Sequence, residues 1–236
     1  MSLKPFFTYY GGKWRIAPKY PSPRHDLIIE PFAGAAGYAL RHHDRDVLII
    51  DKSPIIAGIW RYIIGASPSE VLDLPDVPDG GTVWDVSWPC DGARDLAGMW
   101  LTRGAVHPNR SPSAWMRDPR YVRWSWGAFA RKRIAGQIGA VRHWRVVGGD
   151  YADAPDVCAT WFVDPPYRVA GKKYPHGASG IDFSDLGAWC RARHGQVIVC
   201  ENEGADWLPF RPFLLAKANQ SLHGGKKSVE AIWEAS

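Results

Sequence analysis

The sequence predicts an α/β protein built on a mixed, mostly parallel sheet, interrupted by an inserted helical region. Three observations carry that prediction. Short β-branched runs recur along the chain and end on an acid, and segments with helical spacing or glycine turns separate them. Between residues 60 and 143 the rhythm breaks into Pro- and Gly-rich stretches such as "DLPDVPDGG" and "HPNRSPS", which predict an insertion with its own short helices. At 236 residues the chain can bury a large core without metal or disulfide help.

The elements follow in order. "YYGGK", residues 9–13, pairs two glycines with Lys13; its spacing alone favours a surface turn with an exposed lysine over an anchor for a carboxylate. "DLIIEPFAG" and "DVLIIDKSP" read as strands with "AAGYALRHH" as a helix between them, a unit that brings both strand ends to one rim of a parallel sheet. Gly34 and Gly37 permit a sharp turn and a close backbone approach to a ligand. Asp51, about twenty residues past the glycine turn, sits where an acid accepts the hydroxyls of a ribose. There is no GxGxxG, so a pyrophosphate-binding turn and a nicotinamide cofactor are disfavoured against a nucleoside cofactor without phosphates, such as S-adenosylmethionine.

The insertion is uneven in charge. Glu70, Asp73, Asp76, Asp79, Asp85, Asp91 and Asp95 face Arg94 alone, whereas Arg117, Arg120, Arg123, Arg131, Lys132, Arg133, Arg142 and Arg145 face only Asp118. The basic block is threaded with Trp115, Tyr121, Trp124, Trp126, Phe129 and Trp144. Cations that bind phosphate and rings that stack on bases together favour a polyanionic partner, with part of those rings reserved for the core.

"ATWFVDPPY" and "GQVIVCEN" are two further strands. Between them "FSDLGAWCRARH" has helical spacing, with Ser184 as N-cap and Asp185 in the first turn, and "SVEAIWEAS" alternates as a last strand. The stretch Asp164, Pro165, Pro166, Tyr167 closes the third of these apolar runs with acceptors and an aromatic face. An exocyclic amine on a nucleobase is a poor nucleophile because its lone pair is delocalised into the ring. A carboxylate from Asp164 and a carbonyl from Pro165, on a backbone without a competing N–H, accept both its hydrogens and localise that pair. Pro166 stiffens the turn, and Tyr167 offers a ring on which a base stacks. Such a site works by positioning and by stabilising charge, so Asp164 has no need of a raised pKa.

Taken together these residues resemble the amino-methyltransferases of DNA, in particular the adenine-N6 group related to the Dam enzymes of bacteria and their phages. "FFTYYGGK" resembles that family's N-terminal cofactor motif, "IIEPFAGAAGYAL" its glycine motif, "LIIDKSP" its ribose-binding acid and "WFVDPPY" its catalytic tetrad. "GGDYAD" and "LHGGKKSVEAIWEAS" resemble the segment at the cofactor's adenine and the C-terminal strand with its loop.

The resemblance implies a Rossmann-like methyltransferase fold, with residues 1–59 and 144–236 as the catalytic unit and 60–143 as the target-recognition region. It implies S-adenosylmethionine held by Tyr9, Tyr10, Gly11, Gly12 and Lys13, by Glu30, Pro31, Phe32 and Gly34, by Asp51 and Lys52, and by Asp150, Tyr151 and Asp164. The flipped base would be held by Asp164, Pro165, Pro166 and Tyr167, with no metal. Double-stranded DNA is the implied partner, contacted by Arg117, Arg120, Arg123, Arg131, Lys132, Arg133, Lys226 and Lys227, and no obligate protein partner is implied. RNA or cytosine N4 as target, and a catalytically silent nucleic-acid binder, are the alternatives.

The sequence departs from the family at Tyr9, where tryptophan is common, and at Ala36, where several relatives carry a second glycine tolerable as Ala only at negative φ. The cysteines Cys90, Cys158, Cys190 and Cys200 form no CxxC and read as reduced thiols. The beginning lacks the build of a signal peptide and no run is long enough to span a membrane. A soluble protein of a bacterial or phage-infected cytoplasm is expected.

Overall fold

The computed structural model of the protein describes residues 2–121, 124–168, 178–217 and 227–236. Seven strands form one sheet: β1 (Leu27–Glu30), β2 (Asp46–Asp51), β3 (Arg145–Gly148), β4 (Ala159–Val163), β5 (Gly195–Asn202), β6 (Arg211–Lys217) and β7 (Lys227–Ala235). Their order is β3-β2-β1-β4-β5-β7-β6. The first five run parallel, with Leu27 opposite Asp46 and Phe162 opposite Ile198, while β7 lies antiparallel between β5 and β6. The fold is therefore mixed α/β with a mostly parallel sheet.

Alternation along the strands divides the core in two. Ile28, Val47, Ile49, Phe162 and Ile198 face one side, and Ile29, Leu48, Ile50, Trp161 and Val197 face the other. The second face is covered by α6 (Phe183–Arg191) through Leu186 and Cys190. The first is covered by the N-terminal segment, with Phe6 and Phe7, and by the long connection from β2 to β3. That connection contains α1 (Pro54–Gly65), α2 (Pro68–Leu72), α3 (Asp91–Trp100), α4 (Ala114–Arg117) and α5 (Ala128–Ile138). In α1, Ser53 caps the helix, Pro54 opens it, and Ile56, Ile59, Trp60 and Ile63 form its buried stripe. The boundary expected at residue 59/60 thus falls inside a helix. Leu96, Met99, Trp100 and Ile134 of the connection share one hydrophobic cluster with Phe6 and Ile28.

Other expectations also shift. "AAGYALRHH" is no α-helix: Gly34 to Tyr38 form turns, followed by a 3-10 turn at Ala39–Arg41. Its path is set by Gly34 and by Ala36, both at φ +48°. A left-handed residue interrupts an α-helix, and the negative φ at which alanine would be tolerable here is not what Ala36 adopts. The cap of α6 is Asp182, whose carboxylate accepts from the backbone of Ser184 and Asp185, two residues ahead of the expected Ser184; Asp185 does lie in the first turn. Strands β3 and β6 have no counterpart in the sequence reading. β3 is short and mostly exposed, and β6 is an edge strand that tolerates Pro212 at a bulge. Among the described residues, no helix is long and apolar enough to cross a membrane.

Ala36 is completely buried. Ala36→Val is expected to cost roughly 2–4 kcal/mol, because a β-branched residue at positive φ adds backbone strain to overpacking. Urea unfolding against the parent measures this, and equal midpoints would show that the turn relaxes freely.

Candidate active site at the strand switch point

From β1 the chain steps outward through β2 to β3, then returns to the other side of β1 for β4 and β5. The crevice beyond the carboxyl ends of β1 and β4 is therefore a topological switch point, where open α/β sheets bind ligands. Glu30 ends β1, Asp51 ends β2 and Asp164 follows β4. All three line a cavity of about 940 Å³, counted out to open solvent. Every residue that the sequence reading assigns to the cofactor, from Tyr9 to Lys13, through Glu30, Pro31, Phe32 and Gly34, to Asp51, Lys52, Asp150, Tyr151 and Asp164, lines this one cavity.

The glycine turn is fixed from several sides. Gly34 N–H donates to Asp51 Oδ2 at 2.9 Å, and Trp60 Nε1–H donates to the Gly34 carbonyl at 2.8 Å. A Cβ at Gly34 would lie 2.8 Å from the Tyr9 ring, and one at Gly37 would lie 2.5 Å from the Trp14 nitrogen. The close approach that these glycines allow is thus made by the 9–14 segment, which roofs the cavity. Asp51 Oδ1 accepts from Ser53 N–H at 2.9 Å. Its carboxylate is oriented by the backbone.

Lys13 corrects the expectation of an exposed turn lysine. It is 5 % exposed, its ammonium lies 2.9 Å from Asp164 Oδ1, and it donates to the Gly11 carbonyl at 3.2 Å. Burial pushes Asp164 up to about 6, the Lys13 charge opposes that rise, and Glu230 and Glu201 add to it. A raised pKa was not required by the sequence reading, but the site imposes one: a carboxylate removed from water and facing other acids holds its proton more tightly. Glu30 is buried and accepts from Ala39 N–H at 2.6 Å. Burial pushes it up to about 8, against that hydrogen bond and with the Asp164 charge adding.

The tetrad divides. Asp164 and Pro166 line the cavity, while Pro165 is buried and Tyr167 packs against the core behind them. Tyr167 donates to Glu230 Oε2 at 2.6 Å, and the Lys13 ammonium lies 4.7 Å from its ring centroid. Its hydroxyl is tied to β7 and its face to a cation, which replaces the expectation of a ring lying open for a base. The next residue is pinned too, since Arg168 N–H donates to Glu201 Oε1 at 2.8 Å. Glu201 on β5 and Glu230 on β7 were missed by the sequence reading, although each is an acid within an apolar strand run. At the mouth, Phe32 stacks on Tyr151 with centroids 5.5 Å apart, and Lys52 pairs with Asp150 at 2.8 Å.

The expected DNA contacts are redistributed. Arg117 and Lys132 are exposed, and Arg120 is exposed but paired with Asp118. Arg131 pairs with Asp76, and Arg133 donates to the Pro5 carbonyl with its guanidinium 4.4 Å over the Trp100 ring. These last two hold α5 to its neighbours: the acidic and basic blocks partly neutralise each other within the fold. Lys227 opens β7, and Arg123 and Lys226 lie outside the described residues.

No family model matches the chain, and no curated protein matches it. Among solved structures, the chain is similar to a conserved hypothetical protein of Streptococcus pyogenes at 10 % identity, over 92 % of this chain and 90 % of that one, with a TM-score of 0.37. A likeness that loose carries no argument.

Glu30 sets a pH dependence. Below its ordinary pKa of 4.5 the folded and unfolded chains both hold the proton; between 4.5 and about 8 only the folded chain does. Its contribution to stability is therefore fully present below 4.5 and is lost as pH rises to about 8. Glu30→Gln keeps an acceptor for Ala39 and removes the titration. Melting temperatures across that range are expected to show the variant gaining on the parent as pH rises, and parallel curves would contradict the burial of this acid.

Proposed function

We propose that the protein transfers a methyl group from S-adenosylmethionine to the exocyclic N6 of adenine in double-stranded DNA, with the target base flipped out of the stack. The observation that carries the proposal is the opening of Asp164, at the end of β4, into the cavity that Glu30 and Asp51 share at the ends of β1 and β2.

The donor set of that cavity fits the cofactor. S-adenosylmethionine presents a sulfonium, an ammonium, a carboxylate, a ribose diol and an adenine. The acids Glu30 and Asp164 suit its cations, and Asp51 suits the diol. Lys13 suits the carboxylate while pairing with Asp164, and the stacked Phe32 and Tyr151 form an apolar wall for the adenine. When bound, the cofactor supplies an electrophilic methyl on a sulfonium whose positive charge disappears on transfer.

The residues of the chain do the rest. Asp164 accepts a hydrogen bond from the amine of the target, which is how it raises the nucleophilicity of a delocalised nitrogen. At neutral pH a carboxylate titrating near 6 is ionised, as an acceptor must be. As the N–C bond forms, the amine becomes acidic, and Asp164 stands ready to take the departing proton and pass it to water. Lys13 holds the Asp164 carboxylate in place, and Glu230 and Glu201 hold the turn that carries it.

The test is transfer of a labelled methyl group to mixed-sequence DNA, followed by nucleoside analysis. Label in N6-methyladenine is expected, with an acid limb near pH 6 as Asp164 takes up a proton. Asp164→Ala is expected to lose roughly 100-fold or more of the rate. Label in cytosine, or a rate that does not respond to the substitution, would overturn the assignment.

A further inference from the structure

Flipping a base costs it and its neighbours their stacking, and a ring beside the catalytic cavity can restore part of it. Tyr167 is not that ring, since Glu230 holds its hydroxyl and Lys13 stands over its face. A second cavity lies next to the first, with a volume of about 1130 Å³ counted out to open solvent. Ile181 lines both, so the two are neighbours. Arg168, on the wall of the second, directly follows the tetrad.

Phe183 and Trp207 form its apolar wall. Their rings lie 5.3 Å apart with planes 51° from parallel, an angle at which neither covers the face of the other. Trp207 is buried and donates through Nε1 to Glu201 Oε1 at 3.4 Å, whereas Phe183 is half-buried. Phe183, Gly187 and Arg191 recur at every fourth residue of α6 and share one face of it. A Cβ at Gly187 would stand 2.9 Å from the Trp207 carbonyl oxygen, 3.5 Å from Trp207 Cε3 and 3.5 Å from Arg191 Nη1. The missing side chain lets Trp207 settle on the helix, and the Arg191 guanidinium folds back along the same face to stand near its ring.

The charges of this cavity are Arg168, Asp182, Arg191 and Asp206. Arg168 and Asp206 pair with each other. Asp182 is occupied in capping α6, where it accepts from Ser184 N–H at 2.9 Å and from Asp185 N–H at 3.1 Å. Arg191 is exposed and, among the described residues, forms no ion pair. A ring with an open face and a guanidinium without a carboxylate, in one cavity, meet the two needs of a nucleotide: a base stacks on the ring, and a phosphate takes the guanidinium fork.

We infer that this second cavity binds the nucleotide next to the flipped one in the target strand, with its base against Phe183 and its phosphate on Arg191. The choice of DNA, and of the flipped neighbour, rests on the proposed function. The site itself rests on the wall shared at Ile181 and on the ring and guanidinium that converge along α6.

Fluorescence anisotropy on the full chain, titrated across salt concentrations, tests this with a labelled duplex that carries one mismatched adenine, a base that flips at the least cost. The variants are Arg191→Gln, Phe183→Leu and Phe183→Tyr. Arg45→Gln is the control of equal charge change, since Arg45 pairs with Asp26 at the opposite ends of β1 and β2. Arg191→Gln is expected to bind roughly three- to tenfold more weakly at low salt, with the slope of log K against log salt reduced by about 1, as for one phosphate contact. Phe183→Leu keeps every charge and an apolar side chain, and is expected to bind about fivefold more weakly at an unchanged slope; Phe183→Tyr, which keeps the ring, is expected to bind as the parent does.

An Arg191→Gln variant that loses no more than Arg45→Gln overturns the site. So does equal binding by Phe183→Leu and Phe183→Tyr, or a parent chain that does not bind the duplex. Methyl transfer is measured on the same samples. If the parent transfers no methyl group but its DNA binding depends on Arg191 and on the ring at 183, the nucleotide site stands and the methyltransferase reading falls. If transfer occurs and the variants keep the affinity of the parent, the reverse holds.

Discussion

The buried pair of Lys13 and Asp164 is the interaction on which the site depends. A lysine 5 % exposed and a carboxylate pushed up to about 6 are each costly to remove from water, and at 2.9 Å each offsets part of the cost of the other. The balance is incomplete. The Asp164 charge helps to push Glu30 up, and Glu230 and Glu201 push Asp164 up. A cavity lined by Glu30, Asp51, Asp150 and Asp164 against the two ammonium groups of Lys13 and Lys52 is one in which a further cation is well received. That is the physical reason to look for a positively charged ligand here.

The rest of the fold keeps this arrangement in place. Parallel pairing of β2, β1 and β4 brings Asp51, Glu30 and Asp164 to one rim. The antiparallel β7 brings Glu230 beneath the turn after β4, where its carboxylate receives Tyr167 and, at 3.4 Å, Tyr20. Gly34 and Gly37 let the 9–14 segment close over the rim, and that closure is what buries Lys13. The long connection from β2 to β3 then packs on the same sheet face and braces the roof through the loop that carries Arg103 and Ala105.

Much of this was legible in the residues. Strands β1, β2, β4 and β5 follow from short β-branched runs and β7 from alternation, and the acids that end or follow three of them mark the rim. What escaped has physical causes. "RVVG" sits inside a basic and aromatic stretch and makes a short strand with little burial, so composition hid β3. The helix expected after β1 fails because two residues of the turn adopt positive φ, a property that Ala36 does not advertise. Lys13 looks like a surface residue because its burial is produced by segments far along the chain. The basic block reads as a DNA surface, yet Arg131 and Arg133 serve the fold because Asp76 and Trp100 come near them only in three dimensions. Glu201 and Glu230 are acids within apolar strands, a pattern that calls for a polar role.

Calorimetric titration of the intact protein with S-adenosylmethionine, repeated at pH 7 in buffers of different ionisation enthalpy, tests the central claim most directly. One cofactor per chain is expected, with the release of up to about one proton, because an incoming cation drives the buried Glu30 carboxyl to ionise. Heat that does not vary with the buffer, or no binding at all, would contradict the account of a cavity poised for positive charge.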